Sequence, residues 1–132
     1  MNSLQGKIAE VKVHESLSLV KVEVAGQLFS AIVIDTPDTV DYLREGVQVN
    51  LIFKETEVIL ASGEELRISL QNRFFGKVKS VASGDLLSKV VVDSAQGDIT
   101  SIITTNAVRQ LGIEQGMKIT ALVKTNEMML SP

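Results

Sequence analysis

Few of the side chains that usually carry chemistry are present, and those few stand apart. The chain has 132 residues with no Cys, no Trp, one Tyr and one His. That composition removes thiolate nucleophiles, cysteine metal sites and disulfides, and leaves a single imidazole for proton transfer. The imidazole, His14, falls in an expected hairpin with no clustered carboxylates, so it reads as a surface residue and not as a metal ligand. No nucleophile, base or metal cluster assembles along the chain, and neither a phosphate-binding loop nor a DNA-reading helix-turn-helix is present. A binding protein is expected, and not an enzyme. Thirteen Lys and Arg against sixteen Asp and Glu give a formal charge of −3, and the isoelectric point is about 5.1. No global basic field exists to gather nucleic acid or an anionic membrane, so any anion must be held locally. The adjacent Phe74 and Phe75 read as core or interface, and the Glu64-Glu65 pair as a solvated linker.

The elements that must position a site come from an internal repeat. Residues 1–62 laid without a gap on residues 71–132 pair Asn2 with Asn72, Gly6 with Gly76, Lys7 with Lys77 and Val11 with Val81. The same register pairs Ser18 with Ser88, Val20 with Val90, Val22 with Val92, Gly46 with Gly116, Lys54 with Lys124 and Leu60 with Leu130. Self-similarity of this kind marks two copies of one structural unit. The expected organisation is a first, divergent module over residues 1–62, a linker over 63–69 and a second module over 70–132.

Each copy alternates apolar and polar residues in a way that reads as strands. The first copy predicts strands at residues 7–13, 19–24, 28–34, 47–53 and 57–60, and the second at 75–82, 87–93, 99–104, 117–123 and 127–130. A short helix is expected in each copy after the third strand. In the first, Thr36 would cap it, Pro37 would take the first helical position and Gly46 would end the segment; in the second, Asn106 would cap a helix ending near Gly112. Three strands, a helix and two strands is the order of an OB-like Greek-key barrel, so the fold expected is mainly β, two such five-stranded barrels in tandem, each with one short helix. Hydrophobic residues at 45% supply a core, although units of about 60 residues bury little surface alone and are often supported by association.

Four segments of the second copy carry a family resemblance. They are Ser69-Leu70-Gln71-Asn72-Arg73-Phe74-Phe75-Gly76, Ile102-Ile103-Thr104-Thr105, Leu111-Gly112-Ile113-Glu114-Gln115-Gly116 and Thr120-Ala121-Leu122-Val123-Lys124-Thr125. Together they resemble the Mop, or TOBE, module of molbindins, of molybdate-responsive regulators and of the ATPase subunits of molybdate importers. The family opening is typically Ser-x-Arg-Asn before an apolar pair and Gly, and its closing strand ends in Lys and a small residue. The likeness covers residues 69–130 and extends more faintly, through the repeat, over the first half, so the chain resembles a di-Mop protein.

The resemblance implies that molybdate or tungstate is bound between subunits of a homo-oligomer, a trimer or dimer, with the opening of one module and the closing lysine of another sharing the ion. It implies Ser69, Gln71, Asn72, Thr104, Thr105, Lys124 and Thr125 as oxyanion ligands, with Lys54 as the first-module counterpart of Lys124. A tetrahedral dianion without protons needs only donors, and these residue types supply hydroxyls, amides and an ammonium. Thr104 and Thr105 are expected beside a helix N-terminus, whose dipole favours anions. No side chain is expected to ligate a metal cation directly. The chain departs from the family pattern at Gln71, where Arg is usual, and Arg73 is expected to substitute in part. In the first half the serine position falls before Met1, Ile34 stands for Thr104 and Glu55 for Thr125. A carboxylate beside Lys54 opposes a dianion, so the first module is expected to bind more weakly or to serve as a structural partner.

The function expected is therefore non-catalytic binding of molybdate or tungstate for storage, homeostasis or sensing. The alternative is a regulatory or oligomerisation TOBE domain detached from a transporter ATPase or a transcription regulator. An OB-fold nucleic-acid binder would need a basic groove with stacking aromatics, and neither the charge nor the 4% aromatic content favours one. The opening MNSLQGKIAEV has no apolar core of a signal peptide, and no run approaches the roughly 18 apolar residues of a membrane span, so a cytoplasmic protein without membrane contact is expected.

Overall fold

The computed structural model describes residues 1–63 and 65–132. Glu64 of the acidic pair lies outside the described residues, and Glu65 is exposed. Among the described residues ten strands are arranged in two sheets. The strands of the first half are β1 (Asn2–His14), β2 (Leu17–Val24), β3 (Gln27–Val33), β4 (Gln48–Phe53) and β5 (Ile59–Ala61). Those of the second are β6 (Asn72–Ser83), β7 (Leu87–Ser94), β8 (Gly97–Thr104), β9 (Lys118–Val123) and β10 (Met129–Ser131), with one helix, α1 (Thr105–Leu111), after β8. Alternation places Val20, Val22 and Val24 of β2 inward and Glu23 outward, and does the same for Val90 and Val92 of β7.

β1 and β6 are long enough to serve two partners. β1 pairs with β4 through its first half and with β2 through its second, and β6 does the same with β9 and β7. Each bends at a register shift, between Ile8 and Glu10 and between Val78 and Ser80, the kind of irregularity that curls a sheet toward closure. Gly6 and Gly76 precede these bends. A Cβ on Gly76 would lie 2.1 Å from the carbonyl oxygen of Asp93, and one on Gly6 2.6 Å from a Val22 methyl, so the curl brings the neighbouring strand too close for any side chain.

The closing strands are exchanged between the halves, in contrast to the expected self-contained pair of last strands. The first sheet runs β10-β4-β1-β2-β3 and the second β5-β9-β6-β7-β8. Leu130 of the second half therefore pairs with Leu51 of the first, and Leu60 of the first with Ala121 of the second. Each closing strand is only three residues long and follows a single 3₁₀ turn, Glu55–Glu57 or Thr125–Glu127, so Glu57 and Glu127 belong to turns and not to strands.

The helix expected in the first half is absent, which corrects that expectation. Thr104 caps α1, its hydroxyl accepting from the N–H of Ala107 at 3.1 Å, so Thr104 and not Asn106 is the N-cap. Gly112 ends the helix in the left-handed conformation, φ 62°. In the first copy the matching positions are Ile34, which has no hydroxyl, and Pro37, which has no N–H. Both partners of the capping bond are missing. Thr36 and Thr39 instead exchange side-chain and backbone hydrogen bonds within one turn, at 2.8 and 3.1 Å.

One core runs through both halves. Phe29 and Phe53 of the first half stack on Phe74 of the second, with ring centroids 4.5 and 5.5 Å apart and interplanar angles of 14° and 21°. Phe75, next to Phe74, points outward and is 58% exposed.

Candidate functional site

The repeat places two equivalent constellations on the two outer edge strands, β3 and β8. The 3₁₀ turn that begins at Thr125 packs on β3, and the one that begins at Glu55 packs on β8. Lys124 and Lys54 open these turns from extended backbone, and no side chain caps either turn. Both lysines are exposed, and Lys124 takes part in no ion pair among the described residues. The first N–H groups of such a turn have no acceptor within it and are open to an outside one.

Asn72 lies at the β3 constellation but is 1% exposed. Its amide nitrogen donates to the Ser30 carbonyl at 2.8 Å and its amide oxygen accepts from the Ser30 N–H at 2.7 Å. Asn2 makes the same two contacts with the backbone of Thr100 on β8, both at 2.8 Å. Each asparagine thus imitates one residue of an added strand and stitches its own half to the edge of the other. The sequence marks Asn72 as an anion ligand and Asn2 as its first-half match, but the residue types alone do not show that both stitch the halves together. The signal was available: Asn2 and Asn72 match in the repeat, and so do their partner positions 30 and 100.

The remaining predicted residues divide between the two ends. Gln71 precedes Asn72 and is exposed, Ser69 is exposed at a bend, and Thr125 is half-buried in the turn on β3. Thr104 ends β8, on the strand beside the turn that follows Lys54, with its hydroxyl engaged as the helix cap. Lys124 and Thr104 therefore lie beside different edge strands. Thr105 is buried, its hydroxyl donating to the Gly84 carbonyl at 2.8 Å and sharing a 2.9 Å contact with Ser88, while its N–H donates to Leu86 at 2.9 Å. The expectation that Arg73 stands in for the missing family arginine meets a different arrangement. All three guanidinium nitrogens donate at 3.0 Å, to the carbonyls of Leu70, Leu66 and Ile68, and hold the segment between the halves.

At the β8 end a shallow depression of about 230 Å³ is lined by Met1, Lys54, Glu55, Thr56 and Ile102. The Glu55 carboxylate accepts from the Met1 ammonium at 2.9 Å. That hydrogen bond and charge, with a smaller contribution from Lys89, hold the Glu55 carboxyl below its usual range against the opposing effect of burial. The carboxylate that was expected to repel a dianion beside Lys54 is thus paired by a cation. His14 is exposed at the end of β1, and no group of three or more His, Cys, Asp or Glu among the described residues could hold a metal ion. No helix among them is long and apolar enough to cross a membrane.

Two curled five-stranded OB-like sheets with exchanged closing strands, carrying paired lysine-opened turns, define a tandem-barrel binding module. A family profile described as the TOBE domain matches residues 68–130. Over 66 residues the chain is 36% identical to molybdenum-pterin-binding protein 3 of Clostridium pasteurianum, covering 49% of this chain and 97% of that one. Over 108 residues it is 31% identical to the molybdenum-pterin-binding protein MopA of Rhodobacter capsulatus, covering 80% of this chain and 41% of that one. The crystal structure of the cytoplasmic molybdate-binding protein ModG with molybdate bound superimposes with a TM-score of 0.90 at 25% identity, over 98% of this chain and 94% of ModG. The chain belongs to the TOBE, or Mop, family.

Proposed function

We propose that this chain binds a tetrahedral oxyanion, molybdate or tungstate, without catalysis, for intracellular storage, homeostasis or sensing. The observation that carries the reading is the pair of exposed lysines, Lys54 and Lys124, each opening an uncapped turn against the edge strand of the opposite half. The likeness to ModG over nearly the whole chain supports the choice of ion. In this reading residues 1–62 and 70–132 act as the two modules, with 63–69 between them. Lys124, Thr125, Ser69 and Gln71 serve one end, and Lys54 with Thr104 the other. Exposed Leu17, Ile32 and Ile34 near the β3 edge and Leu86 and Leu87 in the second half supply apolar surface for a homo-oligomer that completes the sites. A second reading, in which the double module serves as the regulatory part of a longer protein, is supported by its match to less than half of MopA.

Isothermal titration with molybdate, tungstate, sulfate and phosphate tests the proposal. The first two should bind and the last two should not, with selection by cavity size because charge and acceptor chemistry are shared. Equal heats for all four, or none, refute it. Lys124→Met is expected to lose about 1.5 to 3 kcal/mol of binding free energy, the range for hydrogen bonds to charged groups. Lys54→Met should lose less, because Thr125 beside Lys124 can donate and Glu55 beside Lys54 cannot.

A further inference from the structure

We propose, resting on the assignment of Ser69 and Gln71 to the Lys124 end, that Arg73 is the positioning residue for that end: its guanidinium shapes the segment that carries these two residues and does not itself meet the ion. Residues 65–71 lie in no helix or strand, so the shape of this segment must come from other contacts. Arg73 supplies three. Its Nη1 donates to the Leu66 carbonyl, its Nη2 to that of Ile68 and its Nε to that of Leu70, each at 3.0 Å. Fully extended, the chain from residue 66 to residue 70 would span about 13 Å, far more than one guanidinium can reach across. The chain therefore wraps the cation, with bends at Ile68 and Ser69. Three carbonyl oxygens converging in this way repel one another unless a planar fork of donors stands between them. Ser69 lies between two of the bonded carbonyls and Gln71 directly follows the third, so the clasp fixes the backbone from which both side chains leave.

Arg73 is itself tied to the same end of the molecule. Its carbonyl accepts from Gln27 Nε2 at 2.9 Å, and Gln27 begins β3, the strand on which the turn from Thr125 packs. Asn72 pairs with Val123 in the β6–β9 register, so Gln71 and Lys124 leave those two strands side by side. One residue thus connects the wrapped segment, the start of β3 and the strand end that Lys124 follows. The repeat supplies an internal control. Ser3 stands at the Arg73 position and pairs with Ile52 as Arg73 pairs with Leu122. The strand forms without arginine at this place, and a serine has no fork with which to clasp a segment, so the device belongs to one end only.

The test is titration of the whole chain with molybdate, comparing Arg73→Ser, which installs the residue β1 already carries, with Arg73→Lys, which keeps the charge and loses the fork. Each should weaken binding at the Lys124 end, read as the sites lost in Lys124→Met, at least about tenfold, the lower end of the cost of removing a group that orients a ligating one. Hydrogen exchange at the amides of residues 66–71, measured without ligand, should accelerate in both variants. In a Ser69→Ala/Gln71→Ala background Arg73→Ser should change affinity less than about twofold, because the groups it positions are gone. Unchanged affinity in Arg73→Ser overturns the proposal and leaves the molybdate reading standing. Full rescue by Arg73→Lys does the same, since charge alone would then account for the effect. An undiminished tenfold loss in the double-alanine background also overturns it, for Arg73 would then act on the ion or on the fold as a whole. Absence of molybdate binding by the unaltered chain refutes the functional reading itself, and this role with it.

Discussion

Asn72 is the residue at which a structural role and a ligand role part most clearly, and Asn72→Ala separates them. The substitution deletes two hydrogen bonds to the Ser30 backbone, at 2.7 and 2.8 Å, from a side chain that is 1% exposed. Each bond contributes about 1 kcal/mol net, and an N–H and a carbonyl left without partners cost more where water cannot reach them. Ser30 is half-buried, so water restores part of that loss. The expected destabilisation is about 2 to 3 kcal/mol, which for a chain of this size lowers Tm by about 6 to 12 °C. Asn2→Ala removes the equivalent pair to Thr100 and should cost a similar amount. Thermal unfolding followed by circular dichroism, with and without molybdate, gives the answer. A stability change below about 0.5 kcal/mol, accompanied by complete loss of molybdate binding, would refute the stitching role and make Asn72 a ligand.

Gly76→Ala should destabilise by at least about 3 kcal/mol, because the new Cβ meets the Asp93 backbone and forces the β6–β7 register apart. Gly6→Ala, whose first clash is with a Val22 methyl, should cost less, and denaturant titration of the two variants gives the order. The Glu55 carboxyl is held below its ordinary range, so its pairing with the Met1 ammonium stabilises the fold above the unfolded-state pKa and is lost as pH falls through the lower folded-state value. Glu55→Gln should remove that part of the acid dependence, measured as the difference between the two proteins' Tm profiles between about pH 5 and pH 2. Deleting residues 129–132 removes β10 and bares the edge of β4, and should lower stability and promote association, read by light scattering.

The strands were legible because alternation over six to thirteen residues leaves one reading for which face is buried. The repeat added the equivalence of Gly6 with Gly76 and of Lys54 with Lys124. The missing first-half helix is legible only in part: Ile34 stands in place of Thr104, but Pro37 by itself reads as a favourable first helical residue. The deciding fact is that Pro37 occupies the Ala107 position, whose N–H makes the capping bond. At the candidate site, residue types alone could not tell a donor offered to solvent from one already spent. Thr105, Asn72 and Arg73 carry suitable donors, and all three are engaged within the chain.

The exchange of closing strands could not be read because the repeat itself conceals it. Leu60 and Leu130 match in register, so each three-residue strand fits either sheet equally well by pattern. What selects the exchanged arrangement is the route of the chain through Val58 and Met128, which are 2% and 1% exposed and follow the turns that pack on β8 and β3. Ser101 on β8 fixes the first of these by donating from its buried hydroxyl to the Val58 carbonyl at 2.8 Å. The lysine-opened turns are thus held by the opposite half, and each constellation contains residues from both. A ligand seated at either end would bear on the contact between halves, so binding and the stability of the exchanged fold are coupled.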